Sequence, residues 1–147
     1  MSMRSIVLAC LLIASFGARA AIEIDGLIKD EEWAGAVKFD QFVEVAPLTS
    51  NPVPRKFHTE AKLLSTPVGL AIAIIADQDI SLPRVNSRVQ RDFSDQVDRV
   101  NFMVDFDADG RAAYDFTIAA SNDVSDEVIT GEVQFSKDWD GDWQHAV

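Results

Sequence analysis

Apolar and polar residues alternate with a period of two over most of 98–120, DRVNFMVDFDADGRAAYDFTIAA. Val100, Phe102, Val104 and Phe106 fall on one side, and Arg99, Asn101, Met103 and Asp105 on the other. Tyr114, Phe116 and Ile118 then repeat the pattern against Ala113, Asp115 and Thr117. Such a period marks strands with one buried face, because successive side chains of extended backbone leave on opposite sides. Asp107-Ala108-Asp109-Gly110 separates the two halves, and its Asp-Gly pair suits the positive φ angles of a tight hairpin. Two long antiparallel strands with an apolar face require a second layer to cover it.

The rest of the chain reads as that layer and its connections. Residues 21–25 alternate and stop at Gly26, which predicts a short edge strand and a turn. Asp30-Glu31-Glu32 ahead of Trp33 predicts one or two helical turns, since carboxylates there satisfy free amides and face the positive end of the helix dipole. Trp33 then plugs the sheet. A strand is expected over 37–45, a loop over the proline-rich 47–54, and extended structure over 59–64. Leu70, Ile72 and Ile74 alternate with Gly69, Ala71, Ala73 and Ile75, and the small residues on the second face predict a central strand packed on both sides. Residues 84–93 fit a strand or a short helix. Residues 122–130 read as a loop leading to a short strand over 131–135, and a further strand opens at 143–147. The sum is an all-β chain, an antiparallel β-sandwich with one short helix.

The start of the chain predicts export of that fold. The 147 residues allow one domain. Residues 1–20 begin with Met-Ser-Met-Arg, run almost without polarity from Ser5 to Phe16 and end in Ala18-Arg19-Ala20. A basic start, an apolar core and an Ala-x-Ala end predict a signal peptide, with residues 21–147 as the mature domain. Cys10, the chain's one cysteine, leaves with it unless it anchors a lipid, so the mature fold rests on its core without disulfides. Residues 1–20 hold two arginines and no acid, so their removal takes the formal net charge from −11 to −13. Such a surface repels phosphate backbones and anionic lipid, which excludes nucleic acid and favours neutral ligands or cations. The strand opening at 143–147 has no close, and the last strands of the sandwich are expected beyond Val147.

These landmarks, in order, resemble a known family. Ile24-Asp25-Gly26, Asp30-Glu31, Trp33 and Ala36 are similar to the opening of the family 9 carbohydrate-binding modules and their sandwich relatives. So are Thr59-Glu60-Ala61-Lys62 and Gly69-Leu70-Ala71-Ile72. Arg91-Asp92, Ser94-Asp95, Asp98, Val100, Asp105 and Tyr114-x-Phe116, with Asp138-Trp139-Asp140 and Trp143, look like the version at the N-terminus of large bacterial outer-membrane-associated proteins. The resemblance covers 22–147. It implies a DOMON-like sandwich, non-catalytic and sugar-binding, exported to the periplasm, outer membrane or exterior, with a membrane-associated region following in a longer protein. Where the family often carries an aromatic after the Gly-Leu pair, this chain has Ala71, which removes an aromatic platform from that strand.

Sugar binding needs flat aromatic faces for apolar pyranose faces and planar polar groups for hydroxyls. Trp139 and Trp143, four apart in an acid-rich turn, are the aromatic candidates, with hairpin packing as their competing role. Arg91, Asp92 and Asp98 are the polar candidates, with a structural ion pair as theirs. Asp105, Asp107 and Asp109 mimic the start of a calcium loop, although Phe116 stands where its closing Glu would be. Solvated turn-forming acids are the other reading, as for Asp138, Asp140 and Asp142. No nucleophile elbow, zinc-protease motif or mature cysteine points to an enzyme. A haem-binding sandwich would have to use Met103, His58 or His145 as axial ligands. A structural or protein-interaction sandwich without sugar affinity needs none of these.

Overall fold

The computed structural model describes residues 21–92, 96–131 and 133–147. The expected signal peptide, and Ser94-Asp95 of the family-like run, lie outside them. Nine strands form three antiparallel sheets with no α-helix among the described residues, a β-sandwich-like all-β fold. Strands β1 (Val37–Phe39), β4 (Thr59–Thr66) and β5 (Gly69–Ala76) make a three-stranded sheet in the order β1-β4-β5. Strands β2 (Val43–Val45) and β3 (Leu48–Pro52) pair alone. Strands β6 (Arg99–Val104), β7 (Ala112–Ala119), β8 (Val124–Thr130) and β9 (Gln134–Ser136) form a four-stranded meander.

The alternating stretch is the β6-β7 pair. Its register sets Val100 opposite Ile118, Phe102 opposite Phe116 and Val104 opposite Tyr114, so all six share one face. Phe102 and Phe116 stack with centroids 5.0 Å apart, a cross-strand pair that adds about 0.5–1.5 kcal/mol beyond its buried area. The connection over 105–111 is longer than a two-residue hairpin. Its positive φ angles fall on Ala108 and Gly110, and the Asp105 carboxylate holds it by accepting from three loop amides.

Several expectations are corrected. The strand expected over 37–45 is two short strands of different sheets. The proline-rich stretch contains β3; Pro47 precedes it and Pro52 ends it, positions where a missing N–H costs no internal ladder bond. Residues 29–36 close a single turn, with Trp33 N donating to Lys29 O at 3.3 Å and Ala36 N to Trp33 O at 3.0 Å, and stop short of a helix. Among the described residues the one helical element is a 3-10 turn at Arg55–Phe57. Residues 21–25 and 143–147 form no strand, and 84–92 is neither strand nor helix. The presumed loop over 122–130 is largely the seven-residue strand β8.

Strand β5 is at an edge, not the centre, of its sheet. The small residues that implied packing on both sides serve Trp33 instead. Trp33, 8% exposed, packs against Leu64 and Ala73, with Ala71, Ile22 and Ile28 alongside. Ala71 pairs with Leu64 in the β4-β5 register, so a larger residue there would meet the indole.

Candidate functional site

Asp126 lies where the alternation of β8 should put an apolar residue. The register sets it opposite Phe116, on the apolar face of the four-stranded sheet, and it is fully buried. A bare carboxylate there would cost several kcal/mol, so its oxygens must be satisfied. Oδ1 accepts from Arg91 Nη2 at 2.6 Å. Oδ2 accepts from the Gly141 amide at 2.8 Å and from Trp143 Nε1 at 3.0 Å. One side chain thus ties the 84–92 segment and the 139–143 turn to the sheet.

A second layer reinforces this centre. Arg91 Nε donates to Asp140 Oδ1 at 2.9 Å, which places the guanidinium between two carboxylates. Partial desolvation works against its charge, but Asp126, Asp140 and Asp92 outweigh it and hold its pKa above the ordinary arginine value. Asp92 Oδ1 accepts from Asp126 N at 3.3 Å, and the Asp92 amide donates to Val124 O at 3.1 Å. Lys137 Nζ donates to Asp92 O at 2.8 Å.

The tryptophans complete an aromatic cluster on the same face. Trp139 meets Tyr114 at 4.8 Å and the edge of Phe116 at 5.8 Å, while Trp143 meets Phe116 at 5.3 Å. Both rings are half-buried. Gly141 sits between them because nothing else fits: a Cβ there would lie 2.7 Å from the Trp139 ring and 3.1 Å from Trp143. Trp139 and Trp143 line a cleft of about 1940 Å³ whose walls include residues of the four-stranded sheet and of β5. Asp142, Gln144 and His145 continue the lining.

Four of the five expected ligand residues therefore belong to one neighbourhood, and their roles differ. Trp139 and Trp143 line the cleft, whereas Arg91 and Asp92 stand behind Asp126 as its supports. Asp98 also lines the cleft but is not part of that cluster. Its Oδ2 accepts from Val85 N at 2.8 Å, its own amide donates to Val85 O at 2.9 Å, and Ala120 N donates to its carbonyl at 2.8 Å. Asp123 clasps the same segment further along, accepting from Val89 N at 2.9 Å and Ser121 Oγ at 2.8 Å. The Val89 amide above all, with Ser121 and Arg88, holds the Asp123 pKa below its ordinary value.

The structure does not assemble Asp105, Asp107 and Asp109 as a calcium site. Both Asp105 oxygens are taken by the amides of Asp107, Ala108 and Gly110, and Asp109 Oδ1 by that of Arg111. Among the described residues no three His, Cys, Asp or Glu side chains are placed to hold a metal ion. The axial pairs considered for haem do not converge through Met103 and His145. Met103 projects from the face opposite the cleft and is 58% exposed, while His145 lines the cleft and meets Asn122 Oδ1 at 3.0 Å. His58 is engaged elsewhere, its Nδ1 lying 3.8 Å from Asp77 Oδ2.

The residue that sequence reasoning passed over is Asp126. Two adjacent acids in Val124-Ser125-Asp126-Glu127 blur the alternation that would have marked the strand, and the partners of Asp126 stand 35, 15 and 17 residues away. No protein-family model matches this chain, and no curated protein or solved structure matches it either.

Proposed function

We propose that this chain is a non-catalytic carbohydrate-binding module of an exported bacterial cell-envelope protein. The observation that carries the reading is the pair Trp139 and Trp143 at the wall of an open cleft, with Trp143 bonded to Asp126 and both rings packed against Tyr114 or Phe116. Aromatic walls stack on the apolar faces of pyranose rings, and Asp98, Asp142, Gln144 and His145 of the same lining offer planar polar groups for hydroxyls. The acidic surface favours neutral sugars over uronates. Export rests on the apolar stretch before Ala18-Arg19-Ala20.

Calorimetric titration with mono- and oligosaccharides, in calcium and in chelator, tests it. The expected result is heat of binding that disappears in Trp139→Ala or Trp143→Ala while far-UV circular dichroism stays that of a β protein. A folded protein silent across a broad panel would rule the reading out.

A protein-interaction domain without sugar affinity is the second reading. The open edge of β5 beside the cleft favours it.

A further inference from the structure

We propose that the free edge of β5, with the cleft beside it, receives one added β-strand: an extended polypeptide partner with alternating apolar residues and Lys or Arg at its ends. Strand β5 has eight residues, Gly-Leu-Ala-Ile-Ala-Ile-Ile-Ala, and pairs with β4 alone. Among the described residues no backbone hydrogen bond joins 70–75 to anything but β4. Alternate N–H and C=O groups therefore face outward along about 26 Å, at roughly 3.3 Å per residue.

Natural edges are blunted by lysine, proline, a bulge or a covering element. This one carries no charge and no proline, and its register with β4 runs unbroken from Gly69 to Ala76. Nor is it covered. The cleft is lined by Ala71 and Ala73 from one face of β5 and by Leu70, Ile72 and Ile74 from the other, so the open space runs along the edge itself. Across it stand Val100, Phe102 and Val104 of β6, all from that strand's apolar face.

Hydrogen bonding and charge select the occupant. A repeat of outward amides and carbonyls is matched residue for residue only by another backbone, while apolar walls take its alternate side chains. The lining carries five carboxylates, those of Glu23, Asp77, Asp98, Asp107 and Asp142, against the guanidinium groups of Arg84 and Arg99. An apolar strand with basic ends complements that rim. A second copy would bring the same acidic rim and a chain of net charge −11 against it.

The test is amide hydrogen exchange on the full chain with a synthetic peptide of alternating valine and threonine flanked by lysines. Saturating peptide should slow exchange at every second residue of 70–75 by at least tenfold. The same peptide N-methylated at alternate amides, which removes its ladder donors, should leave those rates unchanged. A version flanked by glutamates should bind at least tenfold more weakly. Unchanged rates with the first peptide, or equal protection by the N-methylated one, would overturn added-strand pairing. Equal binding of the glutamate-flanked version would overturn the basic-ended partner. Protection that rises with protein concentration in the absence of peptide would instead make a second copy the occupant. The protein itself is unaltered throughout, so loss of folding confuses none of these outcomes.

Discussion

Asp126 and Trp143 are joined by an indole N–H donating to a fully buried carboxylate oxygen at 3.0 Å, and the same oxygen takes the Gly141 amide. The carboxylate lies on the apolar face of a sheet, opposite Phe116. Its position is tolerable only because Arg91 supplies the opposing charge and two N–H groups fill the other oxygen. The reverse dependence also holds. Without Asp126, nothing described here bonds the Trp143 indole, and Arg91 retains Asp140 and the more distant Asp92.

Asp126→Ala should therefore destabilise the fold by about 3 kcal/mol, at the lower end for a broken buried pair because Arg91 is partly exposed. Urea unfolding followed by tryptophan fluorescence measures it. Trp143→Phe, which keeps an aromatic ring and removes only the N–H, should cost about 1 kcal/mol. Combining the two should give less than the sum, since both break the same hydrogen bond. Strict additivity would mean that the bond contributes nothing.

Gly141→Ala tests packing rather than hydrogen bonding. The added methyl would sit 2.7 Å from Trp139 and 3.2 Å from Asp126 Oδ2, so an indole must move. Overpacking of this kind costs about 1–3 kcal/mol. The near-UV circular dichroism of the tryptophans should change along with the midpoint of unfolding. A variant with unchanged signal and stability would show that the turn is not closed around the glycine.

How much of this was readable follows from where the polar groups work. The β6-β7 pair was legible because Phe102, Val104, Tyr114 and Phe116 keep one face apolar without interruption. Strand β8 was not, because its cleft face carries Asp126 between Val124 and Val128, and the compensation comes from Arg91 and Gly141. For β5, Ala71 and Ala73 signalled close packing correctly and misidentified its source, a single indole rather than a second layer. The two tryptophans, Arg91 and Asp92 were singled out as candidates by residue type and sequence context. Their division into lining and support depends on pairings across more than thirty residues, which no local pattern contains.

The 84–92 segment resisted assignment for a related reason. Side-chain carboxylates, not a ladder, take up two of its amides: Asp98 that of Val85 and Asp123 that of Val89. Asp98→Ala should free the start of the segment, raising hydrogen exchange at Val85 several-fold and lowering stability by about 1 kcal/mol. Protection at Val89 should persist through Asp123. Equal loss at both amides would mean that the segment opens as one unit.

On the other face of the same sheet Asp115 sets a pH dependence of opposite sign to that of the exposed acids. It is 6% exposed, its Oδ1 accepts from Asn101 Nδ2 at 2.5 Å and from Thr117 Oγ1 at 3.4 Å, and burial outweighs those bonds to raise its pKa above 3.8. Because the folded state holds this proton more tightly than the unfolded chain, its contribution is complete below pH 3.8 and is lost as pH rises through the folded value. Asp79 runs the other way. The Ser81 amide, then the Ser81 hydroxyl and Lys56, push it down to about 2, so its contribution is present above 3.8 and lost as pH falls toward 2. Asp115→Asn keeps an oxygen to accept from Asn101 and removes the buried charge. Its Tm at pH 7 should exceed that of the unaltered protein by about 2–4 °C, the shift that roughly 1 kcal/mol gives in a domain of this size. Scanning calorimetry from pH 7 to pH 3 should show the gap closing as the carboxyl of the unaltered protein takes up its proton. A gap independent of pH would assign the gain to packing, and a loss at pH 7 would mean that the charged form is the one the fold prefers.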